Sequence, residues 1–398
     1  MSAAALGPPK GNAASTRALK GAAGFWFLAA LVGQWAFLYY LVSFYGVSTL
    51  TGNFPAWTKN TFVKMSYVRG DTVGNIAFGA HALLAAVIAF GGAIQLVPQI
   101  RKRALGFHRW MGRIFFVTAL GLSVSGLYMI WVRHDRGNFL GAAAITLNGT
   151  LIVLFSLLAW RAARRREVAV HRRWALRAYL VANAQWFTRV GVFAWIAVNG
   201  GPVGIGPNFD GPFITFWGFG CYLVPLAVLE LYLRAKESPR PRPRFAMAGG
   251  LVVATLLMAV GTFVFSMLSM KILARAHDPR KSIAELLAAT IEARGIDDAA
   301  LRYRELKAAP PAGYNFDESE LDDLGYRLLH SGKVRQAVRI FELNVEAFPR
   351  SSNVYDSLGE AYMNDGDRPR AIAYYRESLR RNPKNLNAVE ALKRLEAR

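Results

Sequence analysis

Seven stretches of this 398-residue chain are apolar over a length that crosses a bilayer: about 22–45, 73–97, 112–133, 139–160, 175–199, 212–234 and 245–270. A helix rises about 1.5 Å per residue and the hydrocarbon core is about 30 Å thick, so each run is long enough. Backbone N–H and C=O groups left unpaired in hydrocarbon are costly, so such runs must close their own hydrogen bonds as helices. The expected fold is therefore all-α, a seven-span transmembrane helical bundle. The first run is too long for the apolar core of a cleaved signal peptide and no small-residue cleavage site follows it. It reads as an uncleaved anchor.

The net charge is +22, which raises nucleic acid as a partner, but its distribution argues against that. Residues 1–270 carry 26 Lys/Arg and 6 Asp/Glu, whereas residues 271–398 carry 22 and 20. The surplus belongs to the membrane part, where basic residues mark the cytoplasmic loops. The N-terminal arm and the gaps 98–113, 161–177 and 234–244 together carry 20 Lys/Arg; the gaps 46–72, 133–138 and 200–211 carry 5. This predicts a bacterial inner-membrane protein with a cytoplasmic N-terminus and, after seven crossings, a periplasmic C-terminal region. The single cysteine, Cys221, lies in an apolar run and reads as a small buried filler.

The expected organisation is a disordered basic arm over 1–21, a six-span bundle over 22–234, and a Pro/Arg linker with the seventh span over 235–270. The alternation of Pro and Arg over 238–244 reads as a stiff, extended connector that sets the last span apart. Residues 46–72, with Phe54, Pro55 and Trp57, read as a segment on the outer interface. Residues 200–212 are Gly/Pro-rich and form a turn or a lid. A helical connector over 271–310, two helices broken at Gly295, leads to a repeat domain over 311–398. There Leu324-Gly325 recurs as Leu358-Gly359, Gly332 as Gly366, Ala337 as Ala371, Phe341 as Tyr375 and Pro349 as Pro383, each 34 residues on. That is the tetratricopeptide (TPR) period, with small residues where two helices touch and an aromatic between repeats. Residues 385–397 supply a capping helix. Asn344 stands where the pattern calls for a small residue, which Ser378 provides in the second repeat.

Candidate chemistry lies on the spans. His81 sits on a face of small residues (Gly74, Ala77, Ala85, Ala89, Gly92), either as a haem ligand or as polar glue between tightly packed helices. A bis-histidine haem needs a second imidazole at that depth, where the fourth span offers Asn148 and where His134 is shallower. His108 and His171 both occur at cytoplasmic span ends, in the like contexts His108-Arg109-Trp110-Met111-Gly112-Arg113 and His171-Arg172-Arg173-Trp174-Ala175-Leu176-Arg177. They could share haem, quinone or lipid phosphate, or their Arg and Trp neighbours could be interface anchors. Arg189 lies deep in the fifth run with Gln185 on the same helix face. An intramembrane arginine is expensive and normally faces a bundle interior, a wet cavity or a partner. Asn148, Gln185 and Arg189, with His81, form a candidate ligand pocket. No phosphate loop, nucleophile elbow, HExxH or CxxC is present, so no soluble catalytic pattern emerges.

The motifs His108-Arg109-x-x-Gly112-Arg113 and His171-Arg172-x-Trp174-x-x-Arg177-x-Tyr179, followed by Arg189, resemble a family of uncharacterised bacterial multi-pass membrane proteins over about residues 72–235. The resemblance implies a bundle with paired histidine-bearing helices and no established activity. A more distant similarity is to di-haem b-type cytochromes. The tail, through Asp317-Glu318-Ser319-Glu320-Leu321 and Asp356-Ser357-Leu358-Gly359-Glu360-Ala361-Tyr362, is similar to repeat tails of secreted serine hydrolases. Three functions stay open: a protein or peptide partner held in the TPR groove, membrane redox with haem b or quinone at His81, His108 and His171, and solute transport. Transport is disfavoured because no broken helix is evident.

Overall fold

A computed structural model describes residues 10–396, apart from 61–62, 64–65, 69, 134–138, 207–208, 210 and 312. His134 and the first nine residues of the expected arm lie outside the described residues. The chain divides into two compact units, Met1–Ala276 and His277–Arg398.

The first unit contains α1 (Lys10–Leu41), a π-helical turn (Val42–Gly46), α2 (Val47–Leu50), a 3-10 turn (Phe54–Lys59), α3 (Thr72–Leu96), α4 (Pro98–Arg103) and α5 (Leu105–Trp131). It continues with α6 (Phe139–Arg164), α7 (Val168–Ala182), α8 (Ala184–Asn199), α9 (Pro212–Glu237) and α10 (Pro241–Ala276). Among the described residues, six helices are long and apolar enough to cross a membrane. The fifth expected span is the exception. It breaks at Asn183, whose side-chain amide donates to the Tyr179 carbonyl at 2.8 Å. The halves then follow different partners, α7 lying along α6 and α8 along α10. A broken helix is therefore present where the apolar run shows no interruption.

Three other expectations change. Residues 10–21 continue α1 instead of forming a disordered arm. Their Ala/Leu-rich sequence favours helix, and Leu19 and Ala22 pack against Ala248 and Leu251 of α10. The Pro/Arg stretch is likewise mostly helical. Pro241 opens α10, where a missing N–H costs no intrahelical bond, and Arg244 donates to the Thr16 hydroxyl at 3.0 Å. The last span is not set apart, because small residues let it close on the bundle. A Cβ on Gly261 would lie 2.0 Å from the Val190 carbonyl oxygen, and one on Gly33 of α1 would lie 2.7 Å from the Trp186 ring. Finally, the segment after α1 folds inward: Trp57 is buried against Phe78, over Gly79, where a Cβ would come within 2.8 Å of its ring.

Asp71 accepts from the Gly74 N–H and so caps α3. It also receives Arg133 Nε at 2.8 Å, while Arg133 Nη2 donates to Asn75 at 2.8 Å. This ion pair fastens the start of α3 to the end of α5. Cys221 is buried and unbridged.

The second unit contains a two-residue parallel pairing of β1 (Lys281–Ser282) with β2 (Tyr314–Asn315). Its helices are α11 (Ile283–Arg294), α12 (Ile296–Ala308), α13 (Glu318–His330), α14 (Val334–Ala347), α15 (Ser352–Asp365), α16 (Arg368–Arg381) and α17 (Leu386–Glu396). One core runs from Ile283 to Leu392, so α11 and α12 pack as a further helix pair on the repeats. The repeat geometry follows the 34-residue match. Phe341 crosses Gly325, and Tyr375 crosses Gly359 at the equivalent place. Asn344 does not spoil the packing. It is fully buried and its amide donates to the Glu318 carbonyl. Ser378 makes the same bond to the Ser352 carbonyl, both members shifted by one repeat.

Candidate functional site

The break at Asn183 positions the deeper site. Two residues on stands Gln185, and one turn further Arg189, whose Nη1 donates to the Gln185 carbonyl at 2.8 Å and meets its Oε1 at 3.2 Å. The guanidinium carbon lies 4.9 Å from the centre of the Phe37 ring, a cation–π contact of the sort that strengthens out of water. Arg189 also lies within electrostatic reach of Tyr40, Tyr45 and His81. Tyr45 belongs to the π-helical turn and accepts a hydrogen bond from the Asn60 amide at 2.8 Å. Arg189 and His81 are enclosed by protein yet keep accessible surface, and Gln185 is exposed. Among the described residues no carboxylate pairs with Arg189.

His81 meets Ser125 Oγ at 2.9 Å through Nδ1. The Ser125 hydroxyl donates its own proton to the Gly121 carbonyl, so Nδ1 must be the donor and Nε2 keeps its lone pair. The structure thus brings His81, Gln185 and Arg189 to one region. Asn148 stands on α6 with Oδ1 buried and unpartnered; no hydrogen bond joins it to the other three among the described residues. The sequence reading missed Phe37, Tyr40, Tyr45 and Ser125. Tyr40 and Tyr45 lie in an aromatic-rich run that shows no polar pattern. A signal was present only in Ser125, one of three Ser/Thr hydroxyls, with Thr118 and Ser123, in the apolar part of α5.

The shallower pair also meets: His108 and His171 lie within electrostatic reach of each other, with Arg101 beside His108. His171 donates through Nδ1 to the Ala159 carbonyl at 2.9 Å, which leaves Nε2 free, and His108 Nδ1 is buried without a partner. These two regions belong to different ends of the spans and share no side chain.

The fold and these sites define a multi-pass membrane protein with a C-terminal TPR protein-interaction module. Residues 78–232 match a family described as predicted membrane protein (DUF2306), and residues 352–385 match the tetratricopeptide repeat. The chain thus carries a membrane domain of that family fused to a TPR tail. No curated protein matches the chain.

Proposed function

We propose that the chain is a bacterial inner-membrane protein that presents its TPR module in the periplasm, where the module binds a peptide or protein partner. The observation that carries this reading is the continuous core shared by three helix pairs and the cap α17, the build of a repeat stack with an extended binding face. Along α13 and α15, Ser357 donates to Asp322 and Tyr326 donates to Glu360, an acidic, hydrogen-bonding strip suited to a basic peptide. The loop charges support the orientation, with α7 and α8 together making the seventh crossing. A C-terminal alkaline phosphatase fusion should be active and a green fluorescent protein fusion dark; the reverse overturns the topology. Crosslinking from position 326 in cells should capture one discrete partner, and a captured set indistinguishable from that of an unrelated anchored domain overturns the binding role.

The His81, Gln185 and Arg189 region is, in this reading, a pocket for a small anion that the bundle senses. The free Nε2 of His171, set by its bond to Ala159, supports a second reading, membrane redox with haem b or quinone at the His108/His171 pair. Among the described residues, which do not include His134, His81 meets Ser125 and lies near Arg189, with no second imidazole beside it. The purified protein should be colourless. Haem bands in its visible spectrum, lost on replacing His108 by Ala, would establish the second reading over the first.

A further inference from the structure

Arg101, at the end of α4, and Arg172, in the first turns of α7, lie within electrostatic reach of each other. Burial and the charge of Arg172 both pull the Arg101 guanidinium below its ordinary pKa. Further along α7 two arginines are balanced: Arg173 pairs with Glu237 and Arg177 with Glu230. Among the described residues no carboxylate pairs with Arg101 or Arg172. Two like charges held together without a counter-charge need an anion.

The two guanidiniums stand at one end of an apolar groove of about 680 Å³. Its walls come from α1, α7, α8, α9 and α10, with Trp26, Leu180, Val190, Val228, Leu251 and Met258 among them. The far end reaches Trp195 and Phe213 with no charged residue. The volume falls in the range of about 300–1,000 Å³ typical of ligand pockets. A charged end continuous with a long uncharged trough is the outline of an amphiphile. Guanidinium forks match phosphate oxygens in pairs, and anionic phospholipid is abundant at the cytoplasmic face, to which the loop charges assign this end.

We propose that Arg101 and Arg172 bind the phosphate of an anionic phospholipid from the surrounding bilayer, with an acyl chain lying in the groove between α1, α8, α9 and α10. A free phosphate would satisfy the arginines and leave the apolar trough unexplained. A neutral lipid would fill the trough and leave the charges unbalanced.

Native mass spectrometry of the full chain, titrated with phosphatidylglycerol and with phosphatidylcholine of identical acyl chains, tests this. Phosphatidylglycerol should bind at least about tenfold more tightly, because phosphatidylcholine offers the same phosphate but brings its own cation, so only the former supplies the two arginines with a net counter-charge. R101Q/R172Q should abolish the preference. R103Q/R109Q removes the same charge from exposed arginines near the same end and should keep it. Ala254→Trp, which fills the groove with both arginines intact, should weaken both lipids. Single R101Q and R172Q variants read the same effect if the double variant does not purify. Equal loss in both double variants would reduce the preference to diffuse surface charge and overturn the site. Displacement of phosphatidylglycerol by millimolar inorganic phosphate, with Ala254→Trp silent, would make it a free-anion site and overturn the lipid assignment.

Discussion

Gly325 and Gly359 occupy the same position of successive repeats, yet alanine should be tolerated at only one of them. Both lie inside helices, α13 and α15, where replacing Gly by Ala gains up to about 1 kcal/mol of helix propensity. The opposing term is steric. A Cβ at Gly325 would come within 2.6 Å of the Phe341 ring, whereas at Gly359 the nearest Tyr375 ring atom is 3.1 Å away. Phe341 is fully buried, and its ring cannot bend aside as the end of a flexible chain could. Overpacking of this kind costs about 1–3 kcal/mol. Gly325→Ala should therefore lose roughly 1–2 kcal/mol net, and Gly359→Ala should stay within about 0.5 kcal/mol of the parent. Urea unfolding of residues 277–398 followed by circular dichroism reads this directly. With a slope of about 2 kcal/mol per molar urea, the Gly325→Ala midpoint should fall by about 0.5–1 M. Equal losses at the two positions, or a gain at Gly325, would refute the reasoning, because contact distance would then not decide the sign.

Three further outcomes follow from the same kind of accounting. Arg133, with 4% of its side chain exposed, pairs with Asp71 at 32%, so Arg133→Ala should lower stability in detergent by about 3 kcal/mol, as breaking a buried pair does. Arg133→Met with Asp71→Asn, which keeps an acceptor for the Gly74 N–H, should recover more than half in a thermal-shift assay, and no recovery would refute the pairing account. The Asp356 carboxyl is raised above its usual value by burial, against the hydrogen bonds from Asn387 and Asn385 that favour its charged form. A raised folded value means that the folded unit holds the proton more tightly, so this residue's contribution falls as pH rises from about 3.9 through the raised value. Asn387→Ala should push the carboxyl higher still in a carbon-13 titration and should cost more stability at pH 7 than at pH 4; a downward shift would sink this account. Arg189→Leu should insert at least as well as the parent, since a central Arg costs about 2.5–3.5 kcal/mol on insertion. It should nevertheless fail to complement a chromosomal deletion; full complementation would return Arg189 to a packing role.

The parts legible in the sequence are those set by local rules. Apolar run length marked the six helices long enough to cross a membrane, and the 34-residue offsets placed Phe341 over Gly325 and Tyr375 over Gly359. Asn344 was the residue that pattern matching handled badly, because a position asking for small volume is satisfied equally by an amide that reaches a carbonyl. Asn183 escaped notice for the opposite reason. The apolar run passes through it unchanged, and the break depends on α7 and α8 finding different neighbours, which no local window contains. The Arg189 surroundings failed likewise. Gln185 is local and was readable, whereas Phe37 and Tyr45 lie some 140–150 residues away in sequence and are joined to it by packing alone. Pro241 and Pro243 misled because the same residues that stiffen an extended linker also begin a helix well.

The bundle's charge inventory sharpens what Arg189 needs. Residues 1–270 hold 26 Lys/Arg and only 6 Asp/Glu. Three of those carboxylates, Asp71, Glu230 and Glu237, pair with Arg133, Arg177 and Arg173, and Glu167 is exposed at the start of α7. Basic residues in the loops can draw on water and lipid head groups. Arg189 stands ten residues before the end of α8, about 15 Å along a helix axis, and donates instead to the Gln185 carbonyl on its own helix. His81 lies within electrostatic reach of Arg189. A guanidinium held there by a phenyl face and backbone oxygen has its geometry supplied by protein and its charge left open. In the sensing reading, that open charge is the recognition element: an anion at Arg189 can accept no proton from His81 Nε2, which carries none. Selectivity would then rest on the Tyr40 and Tyr45 hydroxyls, and Tyr45→Phe should change which anions bind more than how tightly the best one does.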